Sequence, residues 1–221
     1  MLGKKVIFKK SKIPSRNKLI GQFVILEPLI INKHSKDLFK NFKLDKKNII
    51  WKYLSYGPFK KILSFRKWLN SDCTKDDPFF YAIYSKRFKS YCGMASYLDI
   101  NPEHGSIEVG HINFSPILQN SPEGTECMYL MMENAFEKLG NRRYAWRCNN
   151  FNEGSKKAAL RLGFKFEGIF RQMYIHKSRN RDTAWFSIID NEWKKLKKGY
   201  LKFLKSSNFD KKFNQKNKLK F

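Results

Sequence analysis

The chain has 221 residues, and its 45 Lys plus Arg against 19 Asp plus Glu give a formal net charge of +26. A 42% hydrophobic share with 20 Phe, 10 Tyr and 5 Trp fills a core, so disorder of the whole chain is excluded. That length suits one domain with an extension, or two small ones. No window approaches the apolar run that spans a bilayer, and MLGKKVIFKKSKIP lacks a signal-peptide core, so a cytoplasmic protein with no membrane span is expected.

The charge has two readings. A surface this basic attracts polyanions such as nucleic acid, ribosomes, acidic lipids or phosphorylated cofactors. A lysine-rich, AT-biased coding composition produces the same excess. Cys73, Cys92, Cys127 and Cys148 form no C-x-x-C pair, and no His stands at metal spacing. They read as reduced, buried thiols in a protein that needs no metal.

Residues 1–18 are basic and patternless and read as a loose arm. LIGQFVILEPL (Leu19–Leu29) is β-branched and reads as a first strand. NKHSKDLFKNFK and ILSFRKWLNSD have helical spacing, with NIIWKYLSYGPF between them as a short helix or turn. Phe79–Ser85, Ser90–Ile100 and Ser106–Phe114 are aromatic and β-branched and are separated by turn signals, which predicts a three-stranded antiparallel meander. A helix over Pro122–Leu139 follows, ended by Gly140. RRYAWRCN is a strand, NEGSKKAALRLG a helix, and FKFEGIFRQMYIH and RDTAWFSIID a strand pair around a basic turn. NEWKKLKKGYLKFLKSS is a basic amphipathic helix, and the last dozen residues read as frayed. The order predicts an α/β (α+β) domain: a mixed, mostly antiparallel central sheet with helices on both faces.

The loop SPILQNSPEGTE lies between a strand and a core helix. Ser121 is a good N-cap and Pro122 suits the first helical position. A helix N-terminus also collects anions. Residue types alone leave cap and phosphate cradle both open, and a carboxylate at Glu123 counts against the cradle.

IEVGHINFSP, TECMYLMMENAFEKLG, RRYAWRCNNFNEGSKKAALRLGFKFEG and RNRDTAWFSIID, in this order of elements, resemble the GCN5-related N-acetyltransferase (GNAT) superfamily, nearest its RimJ/RimL-type branch. The resemblance covers about 19–193, leaving a basic arm (1–18) and a basic C-terminal helix and tail (194–221) outside it. It implies the acyl-CoA N-acyltransferase fold. It also implies acetyl transfer from acetyl-CoA to a primary amine, on a protein N-terminus or a small molecule. Ile112, Asn113 and Phe114 then stand on the splayed strand that pairs with pantetheine and polarises the thioester carbonyl. Gln119, Asn120, Ser121, Gly124 and Thr125 offer loop groups to the pyrophosphate. Pro122 departs from the family, standing where its motif usually has the first glycine, and proline has no N–H.

The same resemblance gives Asn152 the pantetheine amide and Ser155 the CoA sulfur; a plain helix cap is the other reading of this pair. Lys156, Lys157 and Arg161 could add positive charge for the cofactor or form a solvated face. Glu108 is a candidate base, or a partner for a surface lysine. Strand alternation sends His111 to the opposite face from Glu108, as a base or a hydrogen-bonded sheet histidine. Tyr174 serves as acid or pocket wall, or packs in the core. Two other functions fit less of the sequence. A non-catalytic basic protein of this fold would dock on ribosomes or nucleic acid through the tail. An acetyltransferase for polyamines would have to overcome long-range repulsion between cations.

Overall fold

A computed structural model describes residues 2–221. The first apolar run is a hairpin and not the single strand expected: β1 (Leu19–Ile20) folds back on β2 (Val24–Pro28). The turn between them is held from outside. The amides of Gln22, Phe23 and Val24 all donate to the carboxylate of Glu126, at 2.8, 2.6 and 2.8 Å. Gly21 is required there, because a Cβ would lie 2.5 Å from Glu126 Cδ.

Helices α1 (Ile31–Phe42) and α2 (Ile62–Asp72) follow, with a single 3-10 turn at Ile49–Trp51 between them. The meander is β3 (Phe79–Ser85), β4 (Ser90–Asn101) and β5 (Ser106–Phe114). Next come α3 (Pro122–Glu133), which runs into a π-helical turn at Asn134–Lys138, and β6 (Arg143–Asn149). The chain ends in α4 (Glu153–Arg161), β7 (Lys165–His176), β8 (Arg179–Ile189) and α5 (Asp190–Phe203).

The strands form one eight-stranded sheet in the order β1-β2-β3-β4-β5-β6-β8-β7. Only β5 and β6 pair in parallel. Period-two alternation divides the apolar residues between two faces. Phe80, Ala82 and Met94 meet Leu38, Phe42, Phe65 and Leu69 of α1 and α2. Tyr81, Ile83, Tyr97 and Tyr144 meet α3 and α5 through Met131, Trp193 and Tyr200. Every residue of α3 from Pro122 to Met132 is buried, because the helix is covered by the sheet on one side and by α5 on the other.

Both ends are tied down. The arm is not loose: Ser11 and Lys12 donate backbone hydrogen bonds to Pro102 and Leu139, and Phe8 occupies the space a side chain at Gly105 would need. The tail is not frayed. Asn208 bonds to Phe203 and Asn217, Phe209 bridges to Gln215, and Phe221 packs on Tyr200. Apolar contacts of Phe209 and Phe221 account for this order, which charge counting along the tail obscures.

Candidate active site

The site begins with a defect in the sheet. β5 pairs with β6 only over Ser106–Val109 against Arg143–Trp146. Beyond that, β5 keeps β4 on one side and has no strand on the other. The β4–β5 register steps from Ser96↔Gly110 to Met94↔Asn113, and His111 between them has φ +49°. Two residues of β5 thus oppose one of β4, a bulge that bends the strand away from β6. Beyond Val109 this leaves a gap in the ladder between β5 and β6.

The bulge also corrects the placement of His111. Phe80, Ser96 and Gly110 form a cross-strand row on the α1/α2 face. The His111 ring lies 5.0 Å from Phe80 and stacks on Tyr56, whose hydroxyl is 3.2 Å from Nδ1. His111 is therefore on the same face as Glu108, because the extra residue resets the alternation. Burial holds the imidazole down to about 4, so it is neutral at ordinary pH.

Glu108 is 3% exposed. Its Oε1 is 3.1 Å from Arg147 Nε, and its Oε2 is buried without a hydrogen-bond partner. The partner is thus a strand arginine and not a surface lysine. Burial pushes the Glu108 carboxyl up to about 8, against the pull of Arg147. Arg147 is itself fully engaged. Its NH2 meets Asp99 at 2.9 Å, its NH1 donates to the Tyr174 hydroxyl at 3.2 Å, and it lies over Trp185. Tyr174 is not a core residue; it is 39% exposed and also carries Arg181 on its ring. Lys177 Nζ, at the β7–β8 turn, donates to the Trp51 carbonyl and ties that hairpin to the segment holding Tyr56.

The other face carries the loop and α4. Asn120 has φ +52°, Ser121 caps α3 by accepting from the Gly124 amide at 3.1 Å, and Gln119 Nε2 donates to the Phe114 carbonyl. Ile112 and Phe114 pack partly against the core, and the Asn113 side chain is buried with Oδ1 unpartnered. Glu123, expected to repel a phosphate, is fully buried and faces inward beside Cys92. Pro122, at the first helical position, gives up an amide that has no helical partner in any case.

Arg161 NH2 donates to Thr125 Oγ1 at 3.2 Å and brings a cation to the first turn of α3. Lys156 pairs with Glu153 at 2.6 Å, and Lys157 forms no ion pair with a described residue. Asn152 caps α4 by accepting from the Ser155 amide. The Ser155 hydroxyl accepts from the Trp146 indole N–H at 3.0 Å and keeps a proton to donate, with the Cys148 thiol beside it. Trp146 is the last β6 residue paired with β5, so Ser155 stands at the mouth of the gap.

The residues fit a CoA-type cosubstrate. A strand edge without a ladder partner, a left-handed turn before a helix N-terminus and a cation beside it suit an amide-rich arm ending in phosphates. Gly124 is the tight point: a Cβ would lie 2.9 Å from the Leu118 carbonyl and 3.3 Å from Phe114. Gly124→Ala is expected to deform the loop and weaken acetyl-CoA binding roughly tenfold, as read by titration calorimetry.

Sequence reasoning missed Arg147, Arg181, Thr183 and Trp185. One signal was available: alternation puts Arg181, Thr183 and Trp185 on one face of β8, and Arg147 is its register partner at Trp185.

A sheet split beside a strand bulge, followed by a capped helix, defines an acyl-CoA-dependent transferase fold. The Acetyltransferase (GNAT) domain family matches residues 24–165. A GCN5-related N-acetyltransferase from Brucella melitensis is similar at 39% identity and a TM-score of 0.93, over 96% of each chain. A probable GNAT-family acetyltransferase from Chromobacterium violaceum is similar at 36% identity and a TM-score of 0.82, over 88% of this chain and 98% of that one. RimL, a ribosomal L7/L12 alpha-N-protein acetyltransferase solved with coenzyme A, shares the fold at 17% identity and a TM-score of 0.67, over 79% of this chain and 99% of that one. No curated protein matches the chain. The chain belongs to the GNAT acetyltransferase family.

Proposed function

We propose that the protein transfers an acetyl group from acetyl-CoA directly to a primary amine in a ternary complex, as a RimJ/RimL-type N-acetyltransferase. The observation that carries this reading is the gap between β5 and β6. It has the free Glu108 oxygen on one face and the free Ser155 proton on the other. Acetyl-CoA, when bound, supplies an activated acyl group on a good leaving group.

The chain does the rest. Glu108 Oε2 accepts a proton from the incoming ammonium, and the amine is left neutral and nucleophilic. With a carboxyl at about 8, Glu108 is matched to an α-amine near its own pKa. Backbone groups of Ile112–Phe114 orient the thioester, and loop amides of 119–125 hold the pyrophosphate. Ser155 donates its hydroxyl proton to the departing sulfur and regains one from the newly acylated nitrogen, while Glu108 releases the proton it took to solvent. Tyr174 positions Arg147, which in turn fixes the Glu108 carboxylate.

Titration calorimetry with acetyl-CoA at moderately high salt, with ATP alongside, tests the proposal; salt suppresses generic anion binding to a +26 surface. Saturable one-to-one binding well above the ATP signal supports it, and binding no better than ATP rejects it. Ser155→Ala is expected to lower kcat about 10- to 100-fold with little change in KM for acetyl-CoA, since the hydroxyl acts on the leaving sulfur.

A further inference from the structure

The α1/α2 face of the site carries polar atoms with nothing to bond to. Arg181 Nε, Thr183 Oγ1 and Trp185 Nε1 are all buried and unpartnered. They occupy alternate positions of β8, so they form a row on one face. On the same face is the free Glu108 Oε2, whose carboxyl feels the charge of Arg181. A run of donors beside one lone acceptor calls for a ligand with the reverse pattern.

Arg181 is the centre of this row. It is half-buried and forms no ion pair with any described residue, and its guanidinium lies 5.4 Å from the centre of the Tyr174 ring. The nearby carboxylates form no ion pair with it. Glu108 and Asp99 bind Arg147, and Asp182 accepts from Gln172 and Asn180. Burial and the neighbouring Arg147 both hold the Arg181 guanidinium below its usual range. Burying a cation beside another cation without an anion is unfavourable for folding alone. Such a group is retained where a ligand completes it.

We infer that the acceptor is an anionic amine, with a carboxylate or phosphate that pairs with Arg181 and Thr183 while its amine meets Glu108. The two side chains are about 7 Å apart along the strand, within reach of one anionic group. An amino acid, or a compound of that kind, has both charges at this spacing. The inference rests on the acetyl-transfer reading for the identity of the amine, and its binding pattern can be tested separately.

The test is titration of the full chain, with CoA present, by N-acetyl-leucine, its amide, and N-acetyl-O-phosphoethanolamine. Either anion is expected to bind at least tenfold more tightly than the neutral amide, and the stronger of the two identifies the source of the charge. Arg181→Met removes the preference and Arg181→Lys keeps part of it. Without ligand, Arg181→Met is expected to keep or raise the thermal midpoint, which a purely structural arginine would not do. Equal binding of acid and amide, no binding of either anion, or a preference that survives Arg181→Met would overturn the inference. If acetyl-CoA fails to bind while the anions do, acetyl transfer falls and the anion site stands.

Discussion

Glu108→Gln is expected to lower kcat/KM by about 100- to 1,000-fold, the usual contribution of a positioned general base. The substitution preserves shape, and the amide oxygen still accepts from Arg147, so the loss isolates proton transfer. The pH profile gives a second readout. Glu108 must be ionised to act, and burial pushes its carboxyl up to about 8. Wild-type activity therefore rises as pH climbs through about 8 and levels off above it. His111, held down to about 4, stays neutral across that window. The residual activity of the glutamine variant lacks the rise.

Stability moves in the opposite direction. A carboxyl raised on folding contributes stability below its unfolded value that is lost as pH climbs through the folded value. The wild type should therefore weaken between the usual carboxylate range and about pH 8, and Glu108→Gln should not. Urea midpoints at pH 6 and 9 check the sign; equal changes in both proteins would show that Glu108 titrates normally.

Glu126→Ala is expected to be the most destabilising single change in the fold, costing about 3–5 kcal/mol. Three backbone amides converge on that one carboxylate. Each loses a charge-assisted hydrogen bond, and each buried unsatisfied donor costs about 1–3 kcal/mol, reduced here because water reaches part of the turn. Alanine also removes the carboxylate that packs under Gly21 beside Leu130. Glu126→Gln retains one acceptor oxygen and should cost about half as much. Urea unfolding followed by tryptophan fluorescence measures both, and a loss under 1 kcal/mol for the alanine variant would show that the turn holds itself.

Most of the fold could be read from local pattern. The meander has aromatic and β-branched runs broken by turn residues, and α3 is opened by Ser121-Pro122 and followed by Gly140. The β1–β2 hairpin could not be read. Its turn is stabilised by Glu126, about 100 residues away in sequence, and no local signal carries that contact. The direction of Glu123 could not be read for a similar reason: a carboxylate in the loop counts against a phosphate cradle, and packing sends the side chain inward instead.

The site divides in the same manner. Asn152 and Ser155 are three positions apart along one cap, so spacing exposes them. The Glu108–Arg147–Tyr174 chain joins three strands, and strand order is a tertiary property. The bulge at His111 has no compositional mark, since a left-handed histidine in a strand is not signalled by its neighbours.

The short parallel ladder has a mechanical consequence. Four paired positions make up the whole β-ladder that joins strands β1–β5 to β6–β8. The sheet is two leaves on a short hinge, clasped from behind by α3 and α5. A slender molecule lodged in the opening would act as a wedge that braces both leaves at once. Amide exchange should then slow on both sides of the seam together when acetyl-CoA is added, at Ile112–Phe114 and at Arg147–Asn149, while the outer strand pairs keep their ligand-free rates.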